Sequence, residues 1–218
     1  MNEVIAIDGT SASGKSACAE VAKRLGYALL ETGAIYRTIA LMVLRAKIDP
    51  TNTTDVERFV RSNFDRITFH RDQLCFDNQP VGDEIRTPEV SSLTPVIAKQ
   101  LAVRKMIAPL QRNFNGGEAL VAEGRDIGSV IFPDARVKVF LTADLKVRAE
   151  RRLKQHLEMD SAYVGTLEEE MARLDARDKE DMNRPDSPLI RLPEAVFIDS
   201  TFMTKDEVIK RILRACQE

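Results

Sequence analysis

Residues 4 to 16, "VIAIDGTSASGKS", narrow the possible folds more than any other stretch. An apolar run leads into a loop, Gly9-x-x-x-x-Gly14-Lys15-Ser16, and then into a segment with Cys18, Val21, Ala22 and Leu25 at helical spacing. In a strand, loop and helix of this order the loop's backbone N–H groups converge on one point, and the helix N-terminus adds partial positive charge. The construction suits phosphate. Gly9, Thr10, Ser11, Ala12, Ser13 and Gly14 form the cradle, Lys15 reaches the terminal phosphates of a nucleoside triphosphate, and Ser16 offers a hydroxyl to Mg2+.

A strand feeding such a loop belongs in a sheet covered on both faces, and further short apolar runs supply the rest of it. They are "ALL" (28 to 30), "ALVA" (119 to 122), "VKVFL" (137 to 141) and "AVFI" (195 to 198), separated by helical patterns. Runs without alternation between helices indicate parallel strands. The expected fold is therefore α/β: a P-loop three-layer fold with a central five-stranded parallel sheet. Four of the five runs end at Asp8, Glu31, Glu123 and Asp199, at the carboxyl ends where ligands gather in open parallel sheets.

Two stretches interrupt the rhythm. The core is expected at about 1–59, 118–146 and 193–218, an inserted small α+β acceptor-binding lobe at about 60–117, and a helical lid at about 147–192. In the insert, "RITFH" and "LCFDNQPV" predict an antiparallel hairpin with a turn at "DNQP". "TPVIAKQLAVRKMIAPLQRNF" predicts one helix capped by Thr94 with Pro95 at its first position, ended or kinked at Pro109. Thr166 with Glu169, and Thr204 with Glu207, have capping-box spacing. After Thr204 the apolar positions 208, 209, 212, 213 and 216 make one face of a closing helix. In "LLETGAIYRT" a strand is expected to break at Gly33 and to leave Tyr36 and Arg37 on a helix.

Charge and cysteines exclude several classes of partner. With 32 Lys+Arg against 34 Asp+Glu, the net charge is -2, so no global basic field draws the chain to nucleic acid or to an anionic membrane. Cys18, Cys75 and Cys216 lie far apart without metal-ligand spacing and suit reduced, buried thiols. No stretch approaches the roughly 20 apolar residues of a membrane helix, and the first residues lack a leader pattern. A soluble, cytoplasmic monomer is expected, with small-molecule nucleotides as its partners.

The phosphate loop alone leaves GTPase, motor, regulator and kinase open. No Asn-Lys dipeptide occurs, which removes the usual guanine-reading motif. The two insertions favour a small-molecule kinase, because phosphoryl transfer needs an acceptor held in line and water kept out.

Five segments then carry a resemblance: "TGAIYR" (32 to 37), "GDEIRTPEV" (82 to 90), "VRK" (103 to 105), "EGRDIGSVIFPDA" (123 to 135) and "RDKEDMNR" (177 to 184). With the loop, and in this order, the chain resembles the bacterial cytidylate kinases over essentially its whole length. The resemblance implies transfer of the γ-phosphate of ATP to CMP and dCMP with Mg2+. It implies that Thr32, Arg104 and Asp126 face the cytosine, that Arg37, Arg125 and Arg184 hold the monophosphate, and that Tyr36 lies nearby. It also implies that Arg177 and Asp181 contact the ribose, and that Lys15, Arg125, Arg177 and Arg184 neutralise charge during transfer. Arg177, Asp181 and Arg184 stand at i, i+4 and i+7, one helical stripe. Arg148, Arg151 and Arg152 form a second stripe, expected to face the transferring phosphoryl group or the ATP phosphates, with Arg152 assigned to the nucleotide. A relaxed UMP/CMP kinase, another small-molecule kinase and a nucleotide-binding regulator stand as alternatives.

Each assignment has a plainer competitor. The second stripe reads equally as a solvated face of ion pairs, which is the better reading for Arg173. For Tyr36 it is helix-to-sheet packing, and for Arg125 a simple pair with Asp126 at a turn. Glu123 is placed to hold a Mg2+-bound water. His70 and His156 are expected to be non-catalytic. Pro95 stands where the family carries a serine that helps hold the ribose.

Overall fold

The structure is a computed structural model that describes residues 3–70, 73–159 and 161–217, with backbone only at 115, 116 and 159. The chain divides into two compact units, Met1–Leu29 with Ala119–Glu218, and Leu30–Glu118.

The first unit holds the parallel sheet. Its strands are β1 (Val4–Gly9), β2 (Ala28–Glu31), which runs out into the second unit, β6 (Leu120–Gly124), β7 (Val137–Thr142) and β8 (Val196–Asp199). The spatial order is β2-β6-β1-β7-β8, the five-stranded parallel sheet expected from the apolar runs. Every residue of β1 is buried, as its central place requires. Alternate residues Ile5 and Ile7 pack with Val121, Val139, Leu141 and Ile198 against α1 (Cys18–Leu25) and α8 (Lys205–Ala215). The apolar stripe read from α8 is this contact: Val208, Ile209, Ile212 and Cys216 are buried, and Leu213 packs at the margin. Both capping boxes are present, Thr166 with Glu169 at the start of α7 (Leu167–Asn183) and Thr204 with Glu207 at the start of α8. Between β7 and β8, α6 (Leu145–Met159) and α7 pack against each other. Gly9 is needed where β1 leaves the sheet: a Cβ there would lie 2.0 Å from the Leu141 carbonyl oxygen.

The second unit contains α2 (Thr32–Arg45), α3 (Thr53–Asn63), a three-stranded antiparallel sheet of β3 (Ile67–His70), β4 (Gln73–Phe76) and β5 (Gln79–Pro80), then α4 (Pro88–Ala98) and α5 (Leu101–Arg112). Division by contact places residues 30–59 here, whereas the composition-based boundary lay near 60. The hairpin gains a third strand, because Asp77 and Asn78 both take positive φ (52° and 61°) and turn the chain from β4 into β5. Residues 71 and 72, between β3 and β4, lie outside the described residues.

Two expectations are corrected. The helix over 94–114 is two helices: α4 starts earlier, at Pro88 behind an N-cap Thr87 whose side chain accepts from the Val90 N–H, and α5 follows after Lys99 and Gln100. Thr94 is not a cap but lies inside α4, its hydroxyl donating to the Val90 carbonyl at 2.7 Å; Pro95 is interior to α4, and Pro109 does not end α5. Nor does the chain break at Gly33. α2 begins at Thr32 and runs through it, since burial of Ile35, Tyr36, Ile39, Met42 and Val43 outweighs the roughly 1 kcal/mol that a helical glycine costs.

Cys18, Cys75 and Cys216 are buried thiols. Among the described residues no helix is long and apolar enough to cross a membrane.

Candidate functional site

In the first unit the phosphate loop follows β1 and enters α1 through a 3-10 turn, Lys15–Ala17. Gly14 has φ 104° and Ala12 φ 57°, left-handed values that curl the loop and that an alanine adopts at some strain. Lys15 lies back along the loop, its Nζ donating to the carbonyls of Gly9 (3.0 Å) and Thr10 (2.8 Å). Burial, with the Arg125 guanidinium beside it, pushes the Lys15 ammonium down to about 7, against the pull of Glu123. Ser16, next in the turn, is exposed.

Ser11 is gripped at all three of its polar groups. Its N–H donates to Asp178 Oδ1 at 3.0 Å, its carbonyl accepts from Arg148 Nη1 at 3.1 Å, and its hydroxyl accepts from Arg125 Nη2 at 3.0 Å. Arg148 and Asp178 also pair with each other, both almost fully buried. Further round the loop, Ser200 Oγ donates to the Ser13 carbonyl at 2.8 Å and is itself held by Arg151 Nη1 at 2.9 Å, while Arg151 Nη2 donates to the Ser200 carbonyl at 2.7 Å. Two of the three α6 arginines thus brace the loop from outside. Arg152 is half-buried, with Nη1 3.4 Å from Gln155 Oε1.

The segment after β6 and the end of α7 form a second cluster of guanidiniums. Arg125 Nε donates to Asp181 Oδ2 at 2.9 Å. Burial works against the charge of Arg125, but Asp181, Glu123 and Asp178 more than offset it and raise the guanidinium further. Arg184 donates from Nε to the Ser187 carbonyl at 2.6 Å and from Nη1 to Asp181 Oδ1 at 3.4 Å, and its Nη2 lies 3.8 Å from Asp126 Oδ1. Arg125 therefore takes Asp181, and Asp126 faces Arg184, so the simple Arg125–Asp126 pair is not what forms. The stripe of Arg177, Asp181 and Arg184 ends one residue early, because α7 stops at Asn183 and Arg184 is its extended C-cap. Arg177 is half-buried and adds to the positive field at Lys15. Asp8, in β1, accepts from the N–H groups of Ile127 and Gly128, both at 2.8 Å. Burial pushes its carboxyl up to about 6, and those two hydrogen bonds and Lys15 only partly counter the rise.

In the second unit, Thr32 opens α2 and Tyr36 follows one turn later, both buried; Arg37, next to Tyr36, is half-buried. Arg104 of α5 is buried, stacks its guanidinium over the Tyr36 ring at 5.6 Å and donates to the Ala98 carbonyl at 3.1 Å. Tyr36 is thus packed, and its partner in this contact is another candidate residue. Glu31 faces Arg86 at 3.7 Å.

Arg173, read as solvated, is exposed and donates to Tyr163 and to the buried Glu170. His70 is exposed, whereas His156 stands half-buried, edge-on to Tyr163 at 4.5 Å and beside Glu170. Sequence reasoning passed over Asp178 and Ser200. Asp178 sits inside "RDKEDMNR", between residues that drew attention for their charge, while Ser200 sits in a loop with no motif.

A family model described as cytidylate kinase matches residues 5–218. The cytidylate kinase of Thermosipho melanesiensis is 38% identical over 215 residues, spanning 98% of this chain and 96% of that protein. The cytidylate kinase of Geobacter sulfurreducens is 39% identical over 215 residues, spanning 96% and 90%. Among solved structures, that of an uncharacterized protein from Eubacterium ventriosum matches with TM-score 0.55 at 12% identity, covering 100% of this chain and 99% of that one. At that identity the likeness is one of fold.

Proposed function

Because this chain belongs to the cytidylate kinase family, and so is an ATP-dependent phosphotransferase acting on nucleoside monophosphates, we propose that it phosphorylates CMP, and dCMP with it, by direct in-line transfer with Mg2+. The observation that carries the reading is the second set of guanidiniums. Arg125 and Arg184 are held on Asp181 and Asp126 beside a loop that already serves one phosphate chain. A protein that only bound ATP would have no use for it.

The roles follow from chemistry. The loop from Gly9 to Ser16 cradles the ATP phosphates, with Lys15 swinging from the Gly9 and Thr10 carbonyls onto the terminal phosphates and Arg152 adding charge. Arg125 and Arg184 bind the acceptor phosphate as planar forks and, with Lys15 and Arg177, neutralise the charge spread over the transferring group. Asp181 and Arg177 take the ribose. From the second unit, Arg37 binds the acceptor phosphate, while Thr32 and Arg104 offer donors and an acceptor to the pyrimidine beside Tyr36. Asp126 supplies the acceptor that a cytosine amine needs; uracil presents a carbonyl there and would meet a carboxylate. No strong general base is required, since the nucleophile is an anionic phosphate oxygen.

The donor set fits Mg2+. Ser16 is exposed in the turn that leads into α1, and Glu123 is the penultimate residue of β6, close enough to act on Lys15; both offer hard oxygen. Mg2+ uses few protein ligands and takes the rest from phosphate and water, and when bound it supplies neutralisation of phosphate charge. The enzyme is taken to act as a cytoplasmic monomer.

An ADP-release assay with CMP, dCMP, UMP and AMP tests the reading, with turnover of CMP and dCMP expected. Equal turnover of UMP would replace it with a relaxed UMP/CMP kinase. ATP hydrolysis indifferent to every monophosphate would leave a nucleotide-binding regulator. Loss of turnover on chelation, restored by added Mg2+, tests the metal.

A further inference from the structure

Asp8 has no place in the roles above, yet it is a buried carboxylate in the central strand, 6% exposed. Both its oxygens are committed to one target, the N–H groups of Ile127 and Gly128. Those amides open a π-helical turn, Ile127–Ile131, in which Val130 and Ile131 both donate to the Asp126 carbonyl. Tight π turns of this kind are held by their surroundings and tend to mark functional positions. Here the backbone presses against the sheet: a Cβ on Gly128 would come 3.3 Å from the Lys138 side chain and 3.5 Å from Ala6. The two residues that precede the turn are Arg125 and Asp126.

We propose that Asp8 is a positioning residue, a two-pronged clamp from β1 that fixes the turn carrying Arg125 and Asp126 and so sets the affinity for the nucleoside monophosphate. The inference rests on the acceptor roles given to those two residues. Asp8 directly precedes Gly9 and feels the Lys15 charge, but both its oxygens accept from the turn after Asp126 and neither from a loop residue, so its larger effect falls on the acceptor.

A purely structural clamp would predict something else. The folded carboxyl titrates higher than the unfolded one, near 3.8, so the charge disfavours folding at neutral pH: stability attached to this group declines as pH rises from about 4 to 6 and stays lower above it. A neutral side chain of the same shape therefore relieves a burden on folding, at the loss of one of two acceptors. The two hydrogen bonds from Ile127 and Gly128, directly after Arg125 and Asp126, tie the carboxylate to the acceptor side.

Asp8→Asn tests this. KM for CMP is expected to rise by about tenfold, and KM for ATP to stay within about twofold. A KM for CMP that does not rise, or a rise shared with ATP, overturns the proposal. If Asp8→Asn does not fold, Asp8→Glu keeps both acceptors but displaces the turn by a methylene. The same CMP-selective rise is expected of it, and an unselective or absent rise counts against the clamp. The parent's own turnover of CMP in the same assay tests the acceptor reading separately, since a parent inactive on CMP refutes that reading whatever the variants do.

Discussion

Arg148 and Arg125 both reach Ser11 of the phosphate loop, yet they do so from different settings. Arg148 comes from α6, is almost fully buried, and meets Asp178, the Ser11 carbonyl and the Ala143 carbonyl. Arg125 comes from the end of β6, keeps more of its guanidinium accessible, and shares its partners with Arg184 through Asp181. The first is a brace whose Nε and Nη1 donors are spent inside the protein. The second is a cation held in place by carboxylates that a phosphate could rival. Two arginines of identical chemistry within reach of one residue are thus separated by burial and by what their partners do, not by the spacing that singled them out.

The largest effect expected from that contrast is on folding. Arg148→Met leaves Asp178 buried without its cation and should cost roughly 3 to 5 kcal/mol in urea unfolding. Replacing the pair together, Arg148→Met with Asp178→Leu, should recover a good part of it. A loss under about 1 kcal/mol in the single variant would mean that Arg148 is no brace and would return it to the phosphates. Next comes Arg125→Ala, expected to lower turnover with CMP by about a hundredfold and to raise the CMP requirement, with ATP binding nearly intact. Collapse of ATP affinity would erase the distinction between the two arginines. Arg152→Ala tests the member of the α6 stripe assigned to the nucleotide. KM for ATP should rise about fivefold with the unfolding midpoint unchanged, and no change in KM would make it a solvated face.

What could be read beforehand follows the same line. β1, the loop and α1 were legible because phosphate binding demands strand, glycines and helix N-terminus in one order, and few other folds supply it. The α8 face and both capping boxes were legible because their partners lie within one helix turn. The second unit was harder. Thr-Pro occurs at 87–88 and again at 94–95, and both dipeptides have the form of a helix start; the first is one, and the second lies inside α4, where burial of Val90, Thr94 and Ile97 carries the helix past the missing N–H of Pro95. Gly33 likewise looked like a break because propensity was weighed without the core that α2 fills. Of the site, charge and motif pointed to Arg125, Asp181 and Arg184. The grip of Asp178 on Ser11 spans 167 residues of sequence, and no local pattern announces such a contact.

The smallest effect separates the two arginines by proton uptake on ATP binding. Lys15 titrates at about 7, lowered by burial first and by Arg125 next, and Arg148 is not among the largest influences on it. At pH 8 Lys15 is therefore mostly neutral before ATP arrives, while the nucleotide phosphates are ionised. The triphosphate beside Lys15 favours the ammonium and raises its pKa, so binding should draw a fraction of a proton from the buffer at pH 8 and almost none at pH 6, where Lys15 is already charged. ATP affinity accordingly weakens as pH climbs above 7. Calorimetry of ATP binding in buffers of different ionisation enthalpy reads the uptake directly. In Arg125→Ala one depressing charge is gone, Lys15 stays protonated to higher pH, and uptake at pH 8 should shrink. A folded variant at Arg148 should keep the parent's uptake, and equal uptake in all three proteins would show that Arg125 exerts no influence on the loop lysine.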